Sequence, residues 1–116
     1  SSGVAVENDC LEQFQNLKLG KKLKWIVYAI SKDGKSIVVE KTSANGDYDE
    51  FVSHMPAEDC RWAVYDLEFE KGDEGKRNKI CFIAWCVELL FRPYPALYLI
   101  ELLLSGRLMM PKSSPR

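Results

Sequence analysis

Residues Cys60 to Trp85, CRWAVYDLEFEKGDEGKRNKICFIAW, constrain the fold more than any other stretch of the chain. After Trp62, Ala63 and Val64 the run alternates, with Tyr65, Leu67 and Phe69 on one parity and Asp66, Glu68 and Glu70 on the other. Successive side chains leave a strand in opposite directions, so this period of two predicts a strand with one buried side. Lys79 to Cys86 is apolar on both parities and predicts an interior strand covered by helices. Between the two, Gly72 to Asn78 reads as a turn whose glycines let the backbone bend. That turn would hold Lys76, Arg77 and the following Lys79 out in solvent, just after a run of acids.

The preceding residues supply partners for this hairpin. Asn8 or Asp9 can cap a helix in which Cys10, Leu11, Phe14 and Leu17 share one face, and Lys18 and Gly20 suit its end. Leu23 to Ile30 is apolar on both parities and predicts a central strand, and Asp33-Gly34 turns the chain into a partner strand, Ser36 to Thr42. Asp47 begins a short helix with Glu50 three residues on, Tyr48, Phe51, Val52 and Met55 form its apolar stripe, and Pro56 ends it. Ser1 to Val6 reads as a mobile terminus. The order of helix, two strands, helix, two strands predicts an α+β (mixed α/β) fold around one sheet.

With 116 residues, the chain is long enough for a single core. Its net charge of −1 argues against nucleic-acid binding, which needs a basic footprint. Cys10, Cys60, Cys81 and Cys86 form no C-x-x-C pair and have no histidine at zinc-finger spacing. No signal peptide is read ahead of them, so four reduced thiols and no metal site are expected. His54, the sole histidine, has no serine or cysteine motif beside it and reads as structural, and Asp66, Glu68 and Glu70 read as a solvated strand face. No phosphate-binding or nucleophile-elbow motif occurs, so neither an enzyme nor a cofactor is expected.

Several short motifs combine in a specific way. GVAV at Gly3 to Val6, NLKLGKK at Asn16 to Lys22, YD at Tyr65-Asp66, EGKRNK at Glu74 to Lys79 and FIAW at Phe82 to Trp85 resemble the actin-depolymerising factors of the cofilin family, nearest its fungal members. The resemblance implies the family's fold, a central mixed sheet flanked by helices. It also implies a protein that binds monomeric and filamentous actin and promotes severing and depolymerisation, in the cytoplasm at the actin cytoskeleton, with the nucleus as a further compartment. A monomer is expected. Carried over position by position, it assigns filament contact to Glu74, Lys76, Arg77 and Lys79, and monomer contact to Ser2, Gly3 and Val4. Ser2 also matches the family's regulatory phosphorylation site. Lys18, Lys21, Lys22 and Lys24 form a basic cluster that is an ordinary charged surface, a phosphoinositide lipid contact as in the family, or a weak import signal.

The resemblance covers Ser2 to Trp85 and then stops, dividing the chain into a domain over 1–85 and a divergent tail over 86–116. Where the family continues with a long basic helix, a strand and a last helix, the tail runs CVELLFRPYPALYLIELLLSGRLMMPKSSPR. Pro93 and Pro95 interrupt any helix there, and Ala96 to Leu104 is apolar all round except for Glu101, so no solvent face is expected. Nine residues are far fewer than the ~20 of a membrane span. So sharp an edge is what a frameshift, a retained intron or an alternative exon produces. The expected consequence is an aggregation-prone protein with weak or absent actin activity, although Ala96 to Leu104 could lie over the uncovered sheet face. The rival expectation is a nonproductive or membrane-associating variant acting through its apolar tail.

Overall fold

The computed structural model describes residues 5–19, 22–86 and 99–104. Five strands form one mixed sheet in the order β1-β3-β2-β4-β5, with helices on its faces, which is the α+β class expected. The strands are β1 (Ala5–Val6), β2 (Trp25–Ile30), β3 (Ser36–Ser43), β4 (Arg61–Glu70) and β5 (Lys76–Trp85). The helices are α1 (Asn8–Lys18) and α2 (Tyr48–Ser53), and residues 99–104 are also helical.

The central antiparallel strands pack large side chains on both sides. Ile26, Tyr28, Trp62 and Val64 face α1, whose Cys10, Phe14 and Leu17 complete one core cluster. Tyr28 Oη donates to the carbonyl of Cys10 at 3.2 Å, and Cys10 Sγ donates to that of Ile37 at 3.3 Å, so α1 is tied to the sheet by polar as well as apolar contact. Burial, reinforced by Asp9, pushes the Cys10 thiol up to about 12, which leaves it inert. On the other side Trp25, Val27, Ala63 and Tyr65 pack against Phe51 of α2. The α2 N-terminus is capped by Asp47, whose carboxylate accepts from the backbone of Asp49 and Glu50 at 3.0 and 3.3 Å. That satisfies two of the donors a helix start leaves unpaired.

The tail joins the first cluster. Leu99, Leu102 and Leu103 are buried in it, while Glu101 and Leu104 point outward. The stretch therefore has a solvent side after all, set by the spacing of three and four residues between its inward leucines. Sequence hides this because the outward Leu104 is as apolar as its buried neighbours.

Other expectations need correction. Val6 is buried, because Ala5 and Val6 pair in parallel with Ser36 and Ile37 of β3, so the N-terminal arm is a strand from Ala5 onward. Glu7, not Asn8 or Asp9, is the α1 cap, and it makes no side-chain capping bond. β5 lies at the end of the sheet order, not in its interior. Nor are all four cysteines free. Arg61 pairs with Trp85 in the β4–β5 register, so Cys60 and Cys86 fall opposite one another at the next position, where they form a disulfide. Cys10 and Cys81 remain thiols. Trp85 Nε1 donates to the carbonyl of Pro56 at 2.6 Å and holds this end of the hairpin to the α2–β4 connection.

Candidate functional site

The β4–β5 hairpin is longer and its turn shorter than the sequence suggests. β5 begins at Lys76, so Lys76, Arg77, Asn78 and Lys79 are strand residues and not turn residues. The tip is the single helical turn Gly72–Glu74 followed by Gly75, closed by the Lys71 N–H donating to the Gly75 carbonyl at 3.0 Å. Gly75 has φ 80°, a left-handed backbone that side chains with a Cβ resist.

Because β5 is extended here, its cations alternate between faces. Leu67 pairs with Lys79 and Phe69 with Arg77, continuing the face on which Tyr65 and Cys81 pack with α2. Glu68 pairs with Asn78 and Glu70 with Lys76, on the α1 side. The four residues assigned to one filament contact are thus divided. Arg77 and Lys79 lie on one face, Lys76 on the other, and Glu74 at the tip, where its carboxylate accepts from Arg77 at 2.8 Å.

The buried part of the hairpin ends early. β2 starts at Trp25 opposite Tyr65, so among the described residues no strand pairs with β4 on that side beyond this point, and only β5 on the other. Leu67 and Phe69 are consequently 43% and 37% exposed, although their parity matches the buried Tyr65. Asp66, read as part of a solvated face, is instead only 3% exposed. It accepts from Asn78 Nδ2 at 3.1 Å, and its backbone N–H donates to the carbonyl of Lys24. Tyr65 Oη donates to the carbonyl of Gly46 at 2.7 Å and so braces the loop that leads into α2. Burial, then the nearby Asp47 carboxylate, raises the pKa of that phenol.

The α1-side face is largely self-neutralised. Glu68 lies 3.5 Å from Lys24 Nζ and 3.8 Å from Lys76 Nζ. Lys24, just before β2, is therefore engaged by a carboxylate. Lys18 ends α1 with its Nζ 6.0 Å from the Phe14 ring centre. The Lys22 backbone N–H donates to the carbonyl of Asn16. Lys21 lies outside the described residues, as do Ser2, Gly3 and Val4. His54 ends α2, half-buried with its ring 5.6 Å from that of Trp25. No helix among the described residues is long and apolar enough to cross a membrane.

Comparison with known proteins gives a consistent result. The sequence model of the cofilin/tropomyosin-type actin-binding proteins matches residues 3–88. Cofilin of Mycosarcoma maydis is 54% identical over 85 residues, covering 73% of this chain and 61% of that protein. Cofilin of Cryptococcus neoformans is 57% identical over 86 residues, covering 73% and 62%. The chain thus spans about three fifths of the length of these relatives. Among solved structures, the crystal structure of a Streptomyces griseoflavus cofilin superposes with a TM-score of 0.71 at 39% identity, covering 90% of this chain and 78% of that one. Plasmodium berghei actin depolymerization factor 2 superposes at 0.72 with 23% identity, covering 92% and 80%, and shares the fold.

Proposed function

The chain belongs to the family of cofilin/tropomyosin-type actin-binding proteins, and on that premise we propose that it binds monomeric and filamentous actin and promotes filament severing and depolymerisation. The observation that carries this reading is the projecting hairpin with Arg77 and Lys79 side by side on one exposed face. Such cations meet an acidic partner surface mainly by steering its approach and fixing register. Ser2, Gly3 and Val4, leading into β1, provide the monomer contact, and a phosphate on Ser2 weakens it by adding about −1.5 to −2 charges. Lys18, Lys21 and Lys22 leave a smaller basic cluster for phosphoinositide headgroups than sequence implies, since Glu68 already holds Lys24. The sequence from Cys86 to Arg116 does not match the family's long basic helix, and activity per molecule is below that of relatives that carry it. The protein acts on the cytoplasmic actin cytoskeleton and does no covalent chemistry.

Cosedimentation with filaments, alongside monomer binding in solution, tests this. Arg77→Ala with Lys79→Ala should weaken filament binding while sparing monomer binding. The contact should also weaken with salt, because exposed charges are screened over about 8–10 Å at physiological ionic strength. Equal loss in both assays would mean that the pair serves the fold instead. Failure of the unmodified protein to bind either form of actin would refute the reading.

A further inference from the structure

The two faces of the projecting hairpin differ in kind. Beyond Tyr65, the α2-side face carries Leu67, Phe69, Lys79 and Arg77, two apolar and two basic residues with no acid among its strand positions. The α1-side face carries Asp66 opposite Ile80, Glu68 opposite Asn78 and Glu70 opposite Lys76, so three of its six positions are acidic, with Asp66 buried. Its cation Lys76 is drawn to Glu68, as is Lys24 from the base of β2. On the α2 side, Lys79 makes no ion pair among the described residues, and Arg77 reaches only the tip carboxylate of Glu74.

We propose that the hairpin docks by its α2-side face alone, with Leu67 and Phe69 as apolar anchors and Arg77 and Lys79 as their basic border. This rests on the filament reading above and specifies its partner surface: a recess on the side of the actin filament with an apolar floor and a carboxylate rim. Charge selects this face, because the other presents the exposed carboxylates of Glu68 and Glu70, and the cations on that side, Lys24 and Lys76, are both drawn to Glu68. Burial selects the anchors. Leu67 and Phe69 continue the parity of the core past the last residue that the core covers, and an exposed apolar pair flanked on one side by two cations suits an interface centre and its rim. Lys76, counted with the contact from sequence, lies on the wrong side of the strand to take part.

The test uses the whole chain in filament cosedimentation over a range of salt. Leu67→Thr with Phe69→Thr keeps β-compatible side chains at exposed positions. Phe69→Thr alone, near the strand end, guards against any loss of folding in the pair, and a thermal melt of each variant reports on that. The threonine pair should weaken filament binding roughly tenfold or more, as removal of central anchors does, with its salt dependence intact. Phe69→Thr should fall between the pair and the unmodified protein. Arg77→Ala with Lys79→Ala should weaken binding and flatten the salt dependence, while Lys76→Ala should stay within about twofold, as rim-exposed charges do. Folded threonine variants that bind within twofold of the unmodified protein, while the Arg77/Lys79 variant loses binding, would overturn the anchors and leave the filament reading standing. A Lys76→Ala loss as large as that of the Arg77/Lys79 variant would overturn the one-sided docking. An unmodified protein that does not cosediment would overturn both.

Discussion

Leu103→Ala tests whether the helical residues 99–104 are part of the folded core. Leu103 is 2% exposed, in one cluster with Phe14 and Leu17 of α1 and Val64 of β4. Truncating such a leucine loses its transfer free energy and leaves a cavity, together about 2–5 kcal/mol. A domain of this size shifts its melting temperature by about 4–8 °C per kcal/mol, so a central value near 3 kcal/mol lowers Tm by roughly 12–24 °C. Burying Leu99, Leu102 and Leu103 together is worth about 4.5–9 kcal/mol at 1.5–3 each. That is on the scale of a whole domain's stability, about 5–15 kcal/mol. Leu104 is the internal control. At 61% exposure it has little to lose, and Leu104→Ala should stay within about 0.5 kcal/mol. Urea unfolding followed by tryptophan fluorescence suits the measurement, since Trp62 lines a small apolar cavity with Leu99 and Ile100. If Leu103→Ala and Leu104→Ala unfold at the same urea concentration as the unmodified protein, the tail does not pack on this face and the reasoning fails.

Two smaller perturbations probe the rest of the core. The Cys10 thiol holds its proton up to about 12 in the folded chain against 9.0 when free, so the unfolded state binds fewer protons once pH exceeds 9. Its stabilising contribution is complete below pH 9 and declines by about 1.4 kcal/mol per pH unit up to the folded value, and urea titrations of Cys10→Ala should show a shallower alkaline loss than the unmodified protein. Tyr28, whose phenol burial also raises, acts in the same direction and leaves part of that loss in place. Asp47→Ala removes the carboxylate that accepts from the α2 N-terminus, and thermal melts should register a cost of about 0.5–2 kcal/mol.

The parts of the fold that sequence made legible are those where local pattern and tertiary packing agree. Cys10, Phe14 and Leu17 lie on one helix face by spacing alone and are all buried, and Asp47 caps α2 as its position predicts. β1 was not legible because two residues carry no period, and their pairing partner is the distant strand β3. The hairpin shows a subtler limit. Alternation correctly placed Leu67 and Phe69 on the face of Tyr65, but no property of β4 records where its neighbour β2 begins. That boundary, Trp25 opposite Tyr65, turns the same parity from core into exposed surface. The candidate site was misread for a related reason. A turn ending at Gly75 and not at Asn78 puts Lys76 and Arg77 on an alternating strand, and alternation sends them to opposite faces.

The sheet itself separates what holds this protein together from what it presents to a partner. The tail leucines and α1 pack on one side, with the Lys24–Glu68–Lys76 ion pairs at that side's distal end. α2 packs on the other side, and the exposed strip of Leu67, Phe69, Arg77 and Lys79 extends from it. Leu99, Leu102 and Leu103 therefore act on the sheet face opposite the hairpin strip. Changing those leucines alters how much of the population is folded. The four side chains of the strip are held instead by the β4–β5 register, from Arg61 opposite Trp85 out to Glu70 opposite Lys76. Loss of packing at the leucines therefore lowers stability without displacing the hairpin strip from its register.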